Sequence, residues 1–369
     1  MTFCWNSVTP AWRSVNVGDK LRVGLTGGRP SRPKKPTQAD VAKLANVSQA
    51  TVSYVLSGNP RVSVPEATRR RVLDAVDELA YVPNGTARSL RIQKTCTIAA
   101  VIPDITNPFY PAFERGVQGA AEARGYDLIV YNTGGVAEKE RRYVRSLQQG
   151  RVDGVVAVFF HLKAEDLLPL LERNVAVVRL EAVQKEATNL DLPLDNLYVD
   201  NVAASRTAVE HLIGRGHTRI GMIAGQSGPR QARVRGYREA LAAHRLPLDE
   251  GMIRDGDFSE DGGYRAMQSL LDESRPLSAV FAANDVMAMG ALMAIREAGL
   301  RVPEDIAVVG FDNIPAARMV TPRLTTVAQF QENLGVRAAE MLLERLDGKA
   351  PEHGRYEEMP YELVVRESA

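Results

Sequence analysis

The chain predicts two architectures in one polypeptide: a small three-helix domain near its start, then a much larger α/β body built as doubly wound parallel sheet. Three observations carry this. Between residues 37 and 57 two short helical patterns are separated by a very tight break, which is what a helix-turn-helix needs. From residue 97 onward short apolar runs alternate with helical stretches, the rhythm of parallel strands joined by crossover helices. That rhythm occurs in two halves, without a short sequence repeat. With 369 residues, two or three domains fit better than one core.

In the small domain, Thr37 followed three residues later by Asp40 marks a helix start. Val41, Leu44 and Ala45 then share one face. Asn46-Val47 makes the break, and Ser48 can cap a second helix with Val52, Val55 and Leu56 facing inward. A third helix over 65–79, with Val72, Ala75, Val76 and Leu79 at helical spacing, closes the core. The second helix of such a unit enters the DNA major groove by its N-terminal end. Gln49 and Ala50 stand at that end and Tyr54 one turn on. Gln pairs two-pronged with adenine, and Ala touches a thymine methyl. Thr51 and Ser53 suit phosphate oxygens; with Thr37 and Ser48 they complete the candidate DNA-facing set. Spacing alone also fits a three-helix domain that binds protein. Residues 31–94 carry eleven Lys and Arg against five Asp and Glu, +6 within a chain of net +1, and this basic domain on a net acidic remainder suits phosphate binding.

In the body, strands are expected at 97–102, 128–131, 152–159 and 175–180, all buried and parallel, with helices at 109–124, 137–149 and 164–173. A connection at 191–199 leads to a second set. It has helices at 201–214, 230–244, 259–272 and 285–299, and strands at 219–224, 278–282 and 305–309. A segment at 323–329, a helix near 332–346 and a strand near 363–366 complete it. Open α/β sheets bind ligands at the carboxyl ends of their strands. Asp312 projects there, and a carboxylate accepts two hydroxyl hydrogen bonds at once, which suits a polyol; a turn or capping role is the alternative. Asn284 can both accept and donate, or simply cap the helix that follows.

The stretches Asp40-Val-Ala-Lys-Leu-Ala45, Val47-Ser-Gln-Ala-Thr-Val-Ser53 and Tyr81-Val-Pro-Asn84 resemble the lactose-repressor/galactose-repressor (LacI/GalR) family of bacterial transcription regulators. His217-Thr-Arg-Ile-Gly221, Ala283-Asn-Asp-Val-Met-Ala288 and Pro303-Glu-Asp-Ile-Ala-Val-Val-Gly-Phe-Asp312 extend the resemblance, which covers residues 37 to about 368. It implies a hinge helix over 84–94, with Asn84, Ala87 and Arg88 at the DNA and Leu90 wedging into the minor groove. It also implies a periplasmic-binding-protein-like core of two lobes (about 95–194 with 328–360, and 199–323 with 361–369). Three crossing strands join them near 195–198, 324–327 and 361–365. The family's effector positions match Asp312, Arg233, Phe258, Phe109, Tyr110, Asn284 and Gln329. Tyr54 stands where the family often has a base-reading Arg, and 57–67 is slightly longer than its usual form, so the operator sequence does not transfer.

The implied protein is a cytoplasmic homodimer that binds a near-palindromic operator and responds to a sugar or related metabolite, most often as a repressor. The absence of a heptad tail after Arg366 favours dimer over tetramer. Only Cys4 and Cys96 occur, which fits a reducing compartment. No signal peptide or membrane span is read, and no cofactor, metal spacing, nucleophile elbow or phosphate-binding loop. Residues 1–36, ending in a basic Gly- and Pro-rich stretch, read as a disordered extension outside the folded domains. A transporter's solute-binding protein shares the two-lobed core but would need a signal peptide and no helix-turn-helix. A sugar-active α/β enzyme would need a catalytic set that the pattern lacks.

Overall fold

The computed structural model describes residues 35–57, 62–82, 94–182, 192–272 and 277–369. The chain divides into two compact units, Met1–Asn84 and Gly85–Ala369.

The first unit holds α1 (Gln38–Leu44), α2 (Gln49–Ser57) and α3 (Glu66–Glu78). Thr37 and Asp40 form a reciprocal capping box: the Thr37 N–H donates to Asp40 Oδ2 at 2.8 Å, and the Asp40 N–H donates to Thr37 Oγ1 at 3.4 Å. Helix α1 stops because Asn46 turns left-handed (φ 53°), which brings the Val47 N–H back onto the Ala42 carbonyl at 3.0 Å. Ser48 Oγ accepts the Thr51 N–H at 3.1 Å and starts α2. Val41, Ala42, Ala45, Val52, Val55, Val72 and Ala75 make the core. Leu44, expected inside, is exposed; Ala42 takes that place because α1 turns its 41/42/45 face to the other two helices.

The second unit runs β1 (Thr97–Ile102), α4 (Phe109–Glu122), β2 (Asp127–Asn132), α5 (Ala137–Leu147), β3 (Gly154–Ala157), α6 (Leu168–Leu171), β4 (Ala176–Glu181) and β5 (Leu194–Tyr198). It continues with α7 (Asn201–Gly214), β6 (Ile220–Ala224), α8 (Arg230–Ala243), β7 (Ile253–Asp255), α9 (Glu260–Asp272), β8 (Ala279–Ala282), α10 (Asp285–Glu297) and β9 (Ala307–Asp312). It ends with β10 (Thr325–Ala328), α11 (Gln331–Leu346), β11 (Tyr356–Glu358) and β12 (Glu362–Val364). Two six-stranded sheets result, ordered β11-β5-β4-β3-β1-β2 and β12-β10-β9-β8-β6-β7. All neighbours are parallel except β12, which runs antiparallel to β10. In each sheet the first strand lies between the second and the third, so both lobes have their switch point beside it, β1/β3 in one and β6/β8 in the other.

The chain passes between lobes three times: after β5, after β10 and between β11 and β12. The first two passages fall just beyond the segments expected to cross, which belong to the sheets themselves. Helix α11 returns to the N-lobe and lies on α4 at backbone contact, since a side chain at Gly116 or Gly335 would overlap the main chain of Glu332 or Phe113. Alternate residues of the N-lobe strands feed two cores: Ile98, Val156 and Val178 on one face, Ala99, Val155 and Val177 on the other.

Four expectations need correction. Strand β2 is parallel but is the edge of its sheet, with Ile129 and Val130 exposed. Residues 164–173 form only a 3₁₀ turn (Glu165–Leu167) and the single turn α6. Strand β3 stops at Ala157, which leaves Phe159 and Phe160 in the loop above it. The three-residue strands β7 and β11 were not anticipated. Among the described residues no helix is long and apolar enough to cross a membrane.

Candidate functional site

In the helical unit, Gln49, Ala50 and Tyr54 are exposed on α2, with Thr51 and Ser53 half-buried. Gln49 is held in place through its carbonyl, which accepts the Gln38 side-chain amide at 3.2 Å. Thr37 and Ser48 are exposed but also serve as caps. The predicted readers therefore share the N-terminal half of one helix, which starts beside a capped turn. Of the Arg run on α3, Arg70 and Arg71 are exposed and Arg69 is half-buried beside Glu66. Asn84, Ala87, Arg88 and Leu90 lie outside the described residues. Gln49→Ala is expected to lower the preference for one operator base pair by about 1–3 kcal/mol while leaving binding to unrelated DNA unchanged. Competition titrations against single-base operator variants check this.

The second site lies at the carboxyl ends of the strands. Asp312 is the last residue of β9, and the main chain there bends through two left-handed residues, Asp312 (φ 115°) and Asn313 (φ 56°). Non-glycine residues resist that conformation, so the bend needs support. Asp285 supplies it from α10: its carboxylate accepts the Ile314 N–H at 2.8 Å and the Thr326 hydroxyl. Thr326 Oγ1 in turn accepts the Asn313 N–H at 3.2 Å. The Gln331 side chain donates to the Asp312 carbonyl.

The Asp312 carboxylate accepts from Gln329 Nε2 at 2.7 Å and faces Arg233 Nη2 at 3.8 Å. Arg233 sits in the first turn of α8. Its Nε donates to Asn201 Oδ1 at 2.7 Å, its Nη1 donates to the Ala283 carbonyl, and its guanidinium lies 3.9 Å from the centre of the Phe311 ring. Arg233, Asp312, Gln329 and Asn284 are all 5% exposed or less. Burial pushes the Asp312 carboxyl up to about 6, against the opposing pull of Arg233 and Gln329. Burial likewise lowers Arg233, and burial with the charge of Asp312 raises Asp285 well above the usual carboxylate range.

From the N-lobe, Phe109 and Tyr110 open α4. Phe109 stacks on Phe113 in the lobe core, with ring centres 6.4 Å apart. Tyr110 looks across the cleft: its phenol is raised by burial first and then by the charge of Asp312, which Arg233 partly offsets. Phe258 is left-handed (φ 62°), and its ring lies against Gly225 at the end of β6. Asn284 uses both ends of its amide inside the C-lobe. Its oxygen accepts the Met287 N–H at 2.9 Å as the cap of α10, and its nitrogen donates to the Phe258 carbonyl at 3.2 Å. The structure thus brings Arg233, Asp312 and Gln329 together, with Tyr110 across from them. It places Asn284 and Phe258 as a linked pair beside them, and Phe109 mainly in the N-lobe core. Asn201, Asp285 and Gln331 escaped sequence reasoning. Asp285 was visible only as the neighbour of Asn284 in a capping dipeptide.

A helix-turn-helix unit joined to a two-lobed α/β core with a buried polar cleft is the build of a ligand-responsive DNA-binding regulator. Residues 37–84 match the family described as bacterial regulatory proteins, lacI family, and residues 209–369 match the periplasmic binding protein-like domain. The chain is 40% identical over 337 residues to the HTH-type transcriptional repressor PurR of Aliivibrio fischeri (strain MJ11), covering 90% of this chain and 98% of that protein. It is 39% identical to the PurR repressor of Vibrio atlanticus (strain LGP32), covering 89% and 97%. Among solved structures, the lac repressor dimer bound to operator and the anti-inducer ONPF superposes with a TM-score of 0.79 at 28% identity, covering 91% of this chain and 99% of that one. The transcriptional regulator CelR in complex with cellobiose gives 0.68 at 35%, covering 90% and 100%. The chain belongs to the LacI family of bacterial regulatory proteins and is a DNA-binding transcription repressor with the family's two-lobed core.

Proposed function

We propose that this repressor works as a cytoplasmic homodimer on a near-palindromic operator, and that a small molecule held between its lobes controls it. The observation that supports the effector site is the buried Asp312–Arg233–Gln329 group facing Tyr110. A carboxylate and a guanidinium this deeply buried are costly unless paired, and here they stand 3.8 Å apart at the strand ends where α/β sheets take ligands. The ligand class is a compact ring carrying adjacent hydrogen-bond donors. Sugar hydroxyls fit the Asp312 carboxylate, and so do the neighbouring N–H groups of a purine base; Tyr110 and Phe258 offer aromatic faces to either. The cellobiose complex of a similar regulator, at 35% identity, supports a carbohydrate, while the repressors named PurR, at up to 40% identity, support a purine-related ring. The ligand acts only through different affinities for the two lobe arrangements, which set the separation of the paired headpieces.

The test is selection of bound sequences from a random DNA pool by full-length protein, repeated with panels of sugars and of purine bases. A two-fold symmetric site whose binding changes with one compound supports the reading and names the class. Enrichment that no compound alters would overturn the effector assignment. Affinity for that compound should also depend on pH. Asp312 titrates at about 6, and its ionised form accepts the ligand's donors, so binding weakens as pH falls. Calorimetry should show about a tenfold loss between pH 7.5 and pH 5, and Asp312→Asn should remove both the affinity and its pH dependence.

A further inference from the structure

We propose that Phe160 is a positioning residue for the effector site: from the N-lobe it braces the C-lobe turn that carries Arg233. The inference rests on the reading of the cleft given above. Phe160 stands three residues past β3, and its ring touches a glycine in each lobe. A methyl group at Gly228 would lie 2.5 Å from Phe160 Cε1 and 2.7 Å from Cδ1, and one at Gly135 would lie 3.3 Å from Cδ2. Gly228 belongs to the turn between β6 and α8, so this contact crosses from lobe to lobe. Gly225 of the same turn carries the Phe258 ring. Residues 225–229 are therefore held between two aromatic rings, one from each lobe. Helix α8 starts at the end of that turn, where the Arg233 N–H donates to the Pro229 carbonyl at 3.0 Å.

The loop that presents Phe160 is fixed in its turn. Glu140 of α5 is fully buried, and its carboxylate accepts three successive backbone N–H groups: Phe160 at 2.9 Å, His161 at 3.1 Å and Leu162 at 3.2 Å. His161 Nε2 meets the Gly135 carbonyl at 2.8 Å. Charge-assisted bonds of this kind are the strong ones, and three on one carboxylate hold the loop in a single shape. The Phe160–Gly228 contact exists only while the lobes are together. Lobe closure would then set the turn, and the turn would set the root of Arg233.

The test is amide hydrogen exchange on the full-length, ligand-free protein. Phe160→Ala should speed exchange across residues 225–234, in the opposite lobe, by about tenfold, because it removes the brace from a local opening. Strand β8 should be unaffected. Gly228→Ala needs the space the ring fills and should speed the same segment in the wild-type background. In the Phe160→Ala background it should add little beyond the strain of a left-handed alanine, which is common to both. Unchanged exchange across 225–234 in Phe160→Ala would overturn the proposal, and so would equal effects of Gly228→Ala in the two backgrounds. If Phe160→Ala also loosens β1 and β3, Gly228→Ala in the wild-type background decides: faster exchange across 225–234 supports the brace, and unchanged exchange there overturns it. No ligand enters this measurement, so its failure is distinct from failure to find an effector.

Discussion

Arg233→Met should keep binding to unrelated DNA and lose the small-molecule response of operator binding, with effector affinity down by at least about 100-fold, as for truncation of one partner in a buried hydrogen-bonded charge pair. The guanidinium serves four neighbours at once: Asn201, the Ala283 carbonyl, the Asp312 carboxylate and the Phe311 ring. Methionine fills similar space and covers the ring, but it offers no donor. Asp312 is then left buried without its cation, and its carboxyl moves further above 6, away from the ionised form that accepts the ligand. Removing one member of a buried pair costs roughly 3–5 kcal/mol, so the C-lobe should also melt earlier. Arg233→Lys should not rescue it, because an ammonium cannot reach Asn201, Ala283 and Asp312 together from one planar fork. The helix-turn-helix is a separate unit, so binding to unrelated DNA is the internal control. Full effector response in Arg233→Met, measured by operator titration with and without the compound, would remove Arg233 from the site.

How much of this could be read beforehand depended on the range of the interaction. The headpiece was legible almost residue by residue because its signals are local. Thr37 and Asp40 cap within three residues, Ser48 caps within three, and the apolar spacing of α3 closes the core. Leu44 was misplaced because a helix of seven residues leaves its buried arc open by one position, and only the packing of α2 and α3 chooses it. Strand β2 shows the same limit in the body. An apolar run identifies a strand but does not say whether the strand is central or at the edge. Strands β7 and β11 are three residues each, too short for any periodicity to register. Asp312 was legible because it ends a strong apolar run, whereas its support by Asp285 and Thr326 rests on bonds between residues 29 and 41 apart and leaves no local trace. Glu140 is the plainest case: on α5 it looks like one more charged helix residue, yet it is fully buried and organises a loop about twenty residues away.

Operator affinity should fall by about 10³–10⁵ between 50 and 200 mM salt, the range for proteins making 6–10 phosphate contacts. The sign and the size follow from where the charge lies. Net charge over the whole chain is only +1, which taken alone would suggest weak salt dependence. Residues 31–94 carry +6, however, and the body is net acidic. Phosphates meet the headpiece, and counterions are released there whatever the charge of the body. In the homodimer proposed above, two headpieces would double the count. Lys35, Lys43, Arg70 and Arg71 are exposed cations among the described residues of this unit, and removing one that touches phosphate should flatten the log–log slope by about 1. Unrelated DNA should show a steep slope as well, since phosphate contacts carry no sequence information, while the operator keeps a constant advantage from Gln49 and its neighbours. A slope near zero on both DNAs would mean that the basic headpiece is not a phosphate-binding surface. A steep slope on unrelated DNA with a flat one on operator would mean that the operator complex is held by something other than the contacts inferred here.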